Sequence, residues 1–124
     1  MRYKEQALLG KGAYGEVRLM MDDVTKELRA MKVLPKESCV GGAAVSLINE
    51  IDVLKKLDHP NIIKLFEFYQ DDASYYLITE HCTGGELFDR IIKLKHFNEK
   101  KAASIMRQVL SAVKYCHNLK IVHR

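Results

Sequence analysis

The feature that most constrains this chain is the run Gly10-Lys11-Gly12-Ala13-Tyr14-Gly15. Three glycines at this spacing let backbone pass where a Cβ could not, through a tight turn or close to a phosphate. The residues after the triplet decide between the folds that use one. A dinucleotide-binding unit requires a helix after the third glycine and an acidic residue about 20 residues further on. Here Val17, Leu19 and Met21 alternate with Glu16, Arg18 and Met20, and Asp22-Asp23 marks a turn. Alternation at period two is the signature of a strand. The triplet is therefore expected between two strands, which disfavours the dinucleotide reading.

The rest of the first half continues in strands. Leu28, Ala30 and Lys32 share one face of a further strand, with Arg29, Met31 and Val33 on the other, and Pro35 ends it. Gly41-Gly42 precede a helical stretch to about Leu57, and Asp58-His59-Pro60-Asn61 reads as a turn because proline disfavours helix in the residue before it. Ile62 to Tyr69 and Tyr75 to Thr79 read as two more strands. After Thr83-Gly84-Gly85 the pattern becomes helical. Glu86 to about Leu94 forms a short helix, and Asn98 caps a longer one in which Ile105, Val109, Val113 and Cys116 recur at helical spacing.

Composition excludes several classes. With 48% apolar and 29% charged residues, the 124-residue chain is globular in type. Its net charge of +4 comes from lysines interspersed with acids, so no nucleic-acid stripe is expected. Cys39, Cys82 and Cys116 are odd in number and far apart, which gives neither a disulfide framework nor a zinc pattern. His81, His96 and His117 show no partner spacing. No apolar run approaches the roughly 18 residues of a membrane span, and no signal peptide is evident. A cytoplasmic chain is expected.

Two charged residues sit where the pattern expects apolar ones. Lys32 shares its face with Leu28 and Ala30, where a lysine is costly unless paired or in reach of a ligand; the alternative is a side chain bent out to water from an edge strand. Glu50 falls within the helical stripe of Leu47, Ile51, Leu54 and Leu57. It too can be a boundary residue turned to solvent. A pairing of Lys32 with Glu50 would account for both at once.

Taken together, the glycine loop Gly10 to Val17, Ala30-Met31-Lys32, Glu50, His59-Pro60-Asn61-Ile62 and Tyr76-Leu77-Ile78-Thr79-Glu80 resemble, in order, the amino-terminal part of a eukaryotic protein kinase. Cys82 to Ile91 is similar to the calcium/calmodulin-dependent group, most of all to the calcium-dependent kinases of plants and protists. The resemblance implies an α+β fold: a small lobe of five antiparallel strands and one helix over residues 1–80, a hinge at 81–85, and an incomplete start of the large lobe, two helices, over 86–124. It implies that Gly10, Gly12 and Gly15 cover the ATP phosphates, with Tyr14 at the tip of the loop. Lys32 would contact the α- and β-phosphates and be held by Glu50. Leu9, Val17 and Ala30 would line the adenine slot, Thr79 would guard the pocket behind it, and the backbone of Glu80 and Cys82 would bond the adenine edge. Glu86 would lie near the ribose. Leu54, Leu65 and His123 resemble members of the apolar column of an active kinase.

In that family the aspartate that receives the substrate proton comes directly after His123-Arg124, and the Mg2+ ligands come later still. The chain as written is thus expected to be catalytically inactive alone, part of a serine/threonine kinase acting on protein substrates with ATP and Mg2+. The reading frame of the parent gene is expected to continue with aspartate. The apolar face of the helix at 99–117, with Ile105, Val109, Leu110 and Val113, is expected to self-associate or be covered by another chain. The alternative function is a non-catalytic nucleotide-binding or regulatory module that acts through protein interaction.

Overall fold

The computed structural model describes residues 2–12, 15–94 and 98–123. Tyr14, His96 and Arg124 lie outside the described residues. The order of elements is β1 (Tyr3–Gly12), β2 (Gly15–Asp22), β3 (Leu28–Pro35), a 3-10 turn (Lys36–Ser38), α1 (Gly42–Lys56), β4 (Leu65–Gln70), β5 (Ser74–Glu80), α2 (Leu87–Lys93) and α3 (Glu99–Asn118). The five strands form one antiparallel sheet in the order β1-β2-β3-β5-β4. The architecture is α+β, as expected. The chain forms two compact units, one of residues 1–56 and 64–81 and the other of residues 57–63 and 82–124.

Short polar side chains set the turns of the first unit. Asp22 Oδ1 accepts the Val24 and Thr25 N–H groups at 2.9 and 3.4 Å, and Lys26 closes the β2–β3 turn at a φ of 61°. Asp71 Oδ1 does the same between β4 and β5, accepting from Ala73 and Ser74 at 2.8 Å each. Both are Asx turns, in which the carboxylate replaces a backbone acceptor.

The sheet buries both faces. On one, Leu34, Ile51, Leu65, Tyr75 and Leu77 form a core beneath α1, with Leu47 and Leu54 packed against it. On the other, Tyr3, Met20, Met31 and Ile78 form a second core. This corrects the alternation expected in β2, where Val17, Leu19 and Met21 are half-buried and Met20, on the opposite face, is buried. The cause is curvature. In a flat sheet of this order β1 and β4 would lie about 19 Å apart, at roughly 4.8 Å per strand. Yet Tyr3 on β1 donates its hydroxyl to Glu67 on β4, and Arg2 reaches the same carboxylate at 3.5 Å. The sheet therefore curls until side chains of its two edge strands meet, and the enclosed face becomes core.

Arg2 also grips Asp22 with two bonds, at 2.9 and 2.6 Å, and Asp22 is only 2% exposed. The Arg2 guanidinium, reinforced by the two backbone N–H bonds, holds the Asp22 carboxyl well below the usual carboxylate range. Burial first, and the bond to Glu67 second, push the Tyr3 phenol above the ordinary tyrosine range. A depressed carboxyl contributes stability that is complete above its unfolded value of about 3.9 and is lost as pH falls through the folded value. Acid titration of unfolding is therefore expected to show a steeper loss below about pH 4 in the wild type than in Asp22→Asn. Equal slopes would contradict this role.

Several boundaries differ from expectation, most by a single residue. Gly42 is the first residue of α1 rather than its lead-in. Strand β4 begins at Leu65 instead of Ile62, because residues 57–63 pack with the second unit. Glu86 stands before α2 as its N-cap, without a side-chain bond. Asn98 does cap α3, accepting the Lys101 N–H at 2.9 Å. Along α3, Met106, Val109, Leu110 and Val113 are exposed. Among the described residues no helix is long and apolar enough to cross a membrane.

Candidate functional site

The register of the sheet assembles most of the residues singled out in the sequence. Val17 pairs with Lys32, and Lys32 with Leu77. One row over, Leu19 pairs with Ala30 and Ala30 with Thr79. Partners across an antiparallel ladder share a face. Val17, Ala30, Lys32 and Thr79 thus lie on the face that α1 covers further along, through Leu34 and Leu77. Val17, Ala30 and Thr79 are half-buried.

The three glycines end and begin the flanking strands, with Gly12 paired to Gly15 and Gly10 to Val17. They differ in what demands a glycine. Gly15 has a φ of +134°, and a Cβ there would lie 2.0 Å from the Val33 carbonyl oxygen. A Cβ on Gly10 would meet nothing within 4 Å. The third glycine is required by the packing of β2 on β3, whereas the first faces open space that a ligand can use. Leu9 falls at a register shift between Leu8 and Gly10 and is 47% exposed.

Lys32 and Glu50 correct the expected burial. Lys32 shares its face with core residues but is itself exposed. Glu50 is exposed as well, while Ile51 beside it is 2% exposed. The buried line of α1 runs through Leu47, Ile51 and Leu54, and Glu50 lies at its margin. A helix seated on a curled sheet touches it along a narrow stripe, so a position at the stripe's edge stays wet. Among the described residues Glu50 forms no ion pair.

The end of β5 is fixed on both sides of its backbone. The Glu80 N–H donates to the Lys64 carbonyl at 3.0 Å, and the Lys64 N–H donates to Glu80 Oε1 at 3.2 Å. The Thr79 hydroxyl donates to the Glu80 carbonyl at 3.3 Å. Leu65 is buried in the core under α1, and Leu54 packs against it.

Cys82 and Glu86 belong to the second unit, and both are exposed. There Gly85, at a φ of +73°, turns the chain into α2, and a shallow cleft is lined by Gly84, Glu86, Asp89, Arg90 and Lys93. His123 lies in the same unit and is exposed. The local pattern marks residues 58–61 as a turn but misses their anchorage on α3. His59 Nε2 lies 3.1 Å from Ser111 Oγ, and the His59 ring packs on Tyr115 with centroids 5.1 Å apart. The Tyr115 hydroxyl accepts the Asp58 N–H at 3.0 Å, and Asn61 Nδ2 donates to Gln108 Oε1 at 3.1 Å. These partners lie some fifty positions apart, beyond the reach of any local pattern.

Residues 3–124 match the family described as the protein kinase domain. The chain belongs to the protein kinase family. It is 46% identical over 123 residues to calcium-dependent protein kinase 5 of Plasmodium falciparum (isolate 3D7), covering 99% of this chain and 21% of that protein. To calcium-dependent protein kinase 4 of the same organism it is 46% identical over 124 residues, 99% of this chain and 24% of the relative. To calcium/calmodulin-dependent protein kinase type 1 of Macrobrachium nipponense it is 46% identical over 125 residues, 99% of this chain and 36% of the relative. The chain therefore spans about a fifth to a third of the length of these kinases. Its five-stranded sheet with α1 is the small-lobe part of a kinase domain.

Proposed function

We propose that this chain is the ATP-binding portion of a serine/threonine protein kinase, calcium-regulated in the whole protein and cytoplasmic. The observation that carries the reading is the single sheet face holding Val17, Ala30, Lys32 and Thr79 beside a glycine hairpin whose first glycine borders open space. The sheet face offers an apolar slot for adenine and an exposed cation for phosphate, and the hairpin offers backbone that phosphate can approach without meeting a Cβ. Leu9, Gly10, Gly12, Gly15, Val17, Ala30, Lys32, Thr79, Glu80, Cys82 and Glu86 are proposed to hold the nucleotide. Residues 1–80 are then the small lobe, 81–85 the hinge and 86–124 the start of the large lobe.

Lys32 and Glu50 are proposed to pair when nucleotide is bound, as the kinase resemblance implies, with Glu50 exposed on α1. Mg2+ and a protein substrate belong to the complete kinase, whose catalytic aspartate and metal-binding residues are not among these 124 residues. Self-association through the exposed face of α3 is proposed for the chain by itself.

Titration with a fluorescent ATP analogue tests the binding reading. Loss of one charge-assisted contact is expected to weaken affinity about 10- to 100-fold in Lys32→Ala. Phosphoryl transfer by the purified chain is expected to be nil. Unchanged affinity in Lys32→Ala would remove the proposed phosphate role, and turnover that disappears in that variant would overturn the proposed inactivity.

A further inference from the structure

We propose that His59 is a proton-operated latch that closes the turn at Asn61 within the loop 57–63 while its imidazole is neutral and opens that turn once protonated. The latch turns on which ring nitrogen carries hydrogen. The Asn61 backbone N–H donates to His59 Nδ1 at 3.1 Å. Only an unprotonated nitrogen accepts, so the neutral ring must carry its hydrogen on Nε2. That hydrogen faces Ser111 Oγ at 3.1 Å. Both nitrogens are thereby committed, one to the loop's own backbone and one to the helix.

Protonation places hydrogen on both nitrogens. The bond to Ser111 survives, because Nε2 still donates, but the Asn61 N–H then meets another N–H. The lost bond is the one by which His59 imitates an Asx turn, a side chain accepting from the residue two positions on. It reinforces the turn closed by the Ile62 N–H on the His59 carbonyl at 3.1 Å.

The groups facing the ring do not compensate. From α3 these are the Ser111 hydroxyl and the titratable Tyr115 ring, with Gln108 beside them on Asn61. From the loop, Asp58 contributes its N–H to the Tyr115 hydroxyl. Among the described residues no carboxylate or cation bonds to the ring. Histidine is the side chain whose ordinary titration falls between about pH 5 and 8. The loop joins Lys56, the last residue of α1, to the start of β4.

The test uses the 124-residue chain at pH 7.5 and 5.5. Nitrogen NMR of the imidazole is expected to show the Nε2–H form at the higher pH. Exchange of the Asn61 amide, corrected for its intrinsic pH dependence, is expected to lose about fivefold protection at the lower pH, the size of one modest hydrogen bond. In His59→Asn the side-chain oxygen can accept the same N–H at either pH, and protection is expected to stay constant. An Nδ1–H ring at pH 7.5 would overturn the proposal. So would wild-type protection that does not change with pH, or the same change in both proteins.

Discussion

Gly15→Ala is expected to lower the melting temperature by about 10 °C or more, while Gly10→Ala leaves it within a degree or two. A side chain forced to positive φ costs on the order of 1–3 kcal/mol, and in a small domain each kcal/mol moves the midpoint by about 4–8 °C. Gly15 adds a collision to that strain. Its Cβ would stand 2.0 Å from the Val33 carbonyl oxygen, which belongs to the neighbouring strand and cannot swing aside like a side chain. Gly10 has neither problem, since its φ is not positive and its Cβ would meet open space. Differential scanning calorimetry of the two variants separates the roles. Nucleotide affinity should fall in Gly10→Ala at unchanged stability if the first glycine admits phosphate. Equal melting temperatures for both variants would mean that the close approach of β2 to β3 is relieved elsewhere at little cost.

The difference between these glycines bears on how much of the fold is legible without coordinates. The triplet with an alternating strand behind it already implies a hairpin, and the alternation of β3 already puts Lys32 on the face of Ala30. Both depend on local periods, which sequence carries directly. Asn98 is legible as a cap for the same reason, because its partner is three residues away. Burial is less legible. The pattern misplaces Met20 and Glu50 because their exposure depends on how far the sheet curls and where α1 rests on it. Those are consequences of contacts such as Tyr3 with Glu67, 64 residues apart. The anchorage of His59 is invisible for the same reason.

The seat of α1 gives the other large expected effect. Ile51 is 2% exposed and joins Leu34, Leu65, Tyr75 and Leu77 in the core that holds the helix to the sheet. Truncating a buried isoleucine to alanine costs about 2–5 kcal/mol, the lost transfer energy plus the cavity left behind. Small domains are stable by only about 5–15 kcal/mol, so Ile51→Ala is expected to approach the limit of a folded chain. The loss should be directional. Ile51 is the only fully seated residue of α1, whereas the second core of Tyr3, Met20, Met31 and Ile78 does not include the helix. Amide exchange is therefore expected to accelerate first in α1 and its neighbour β4, with β1 and β2 protected longer. Glu50 immediately precedes Ile51 on the same turn, so a loosened α1 also disperses the carboxylate proposed to pair with Lys32. In the complete kinase, Ile51→Val, which costs only about 0.5–1.5 kcal/mol, is expected to retain most activity, and Ile51→Ala to lose it in step with α1 protection. Uniform exchange across the whole sheet in Ile51→Ala would instead mean that helix and sheet unfold as one unit, and that the position of Glu50 is not set by this contact.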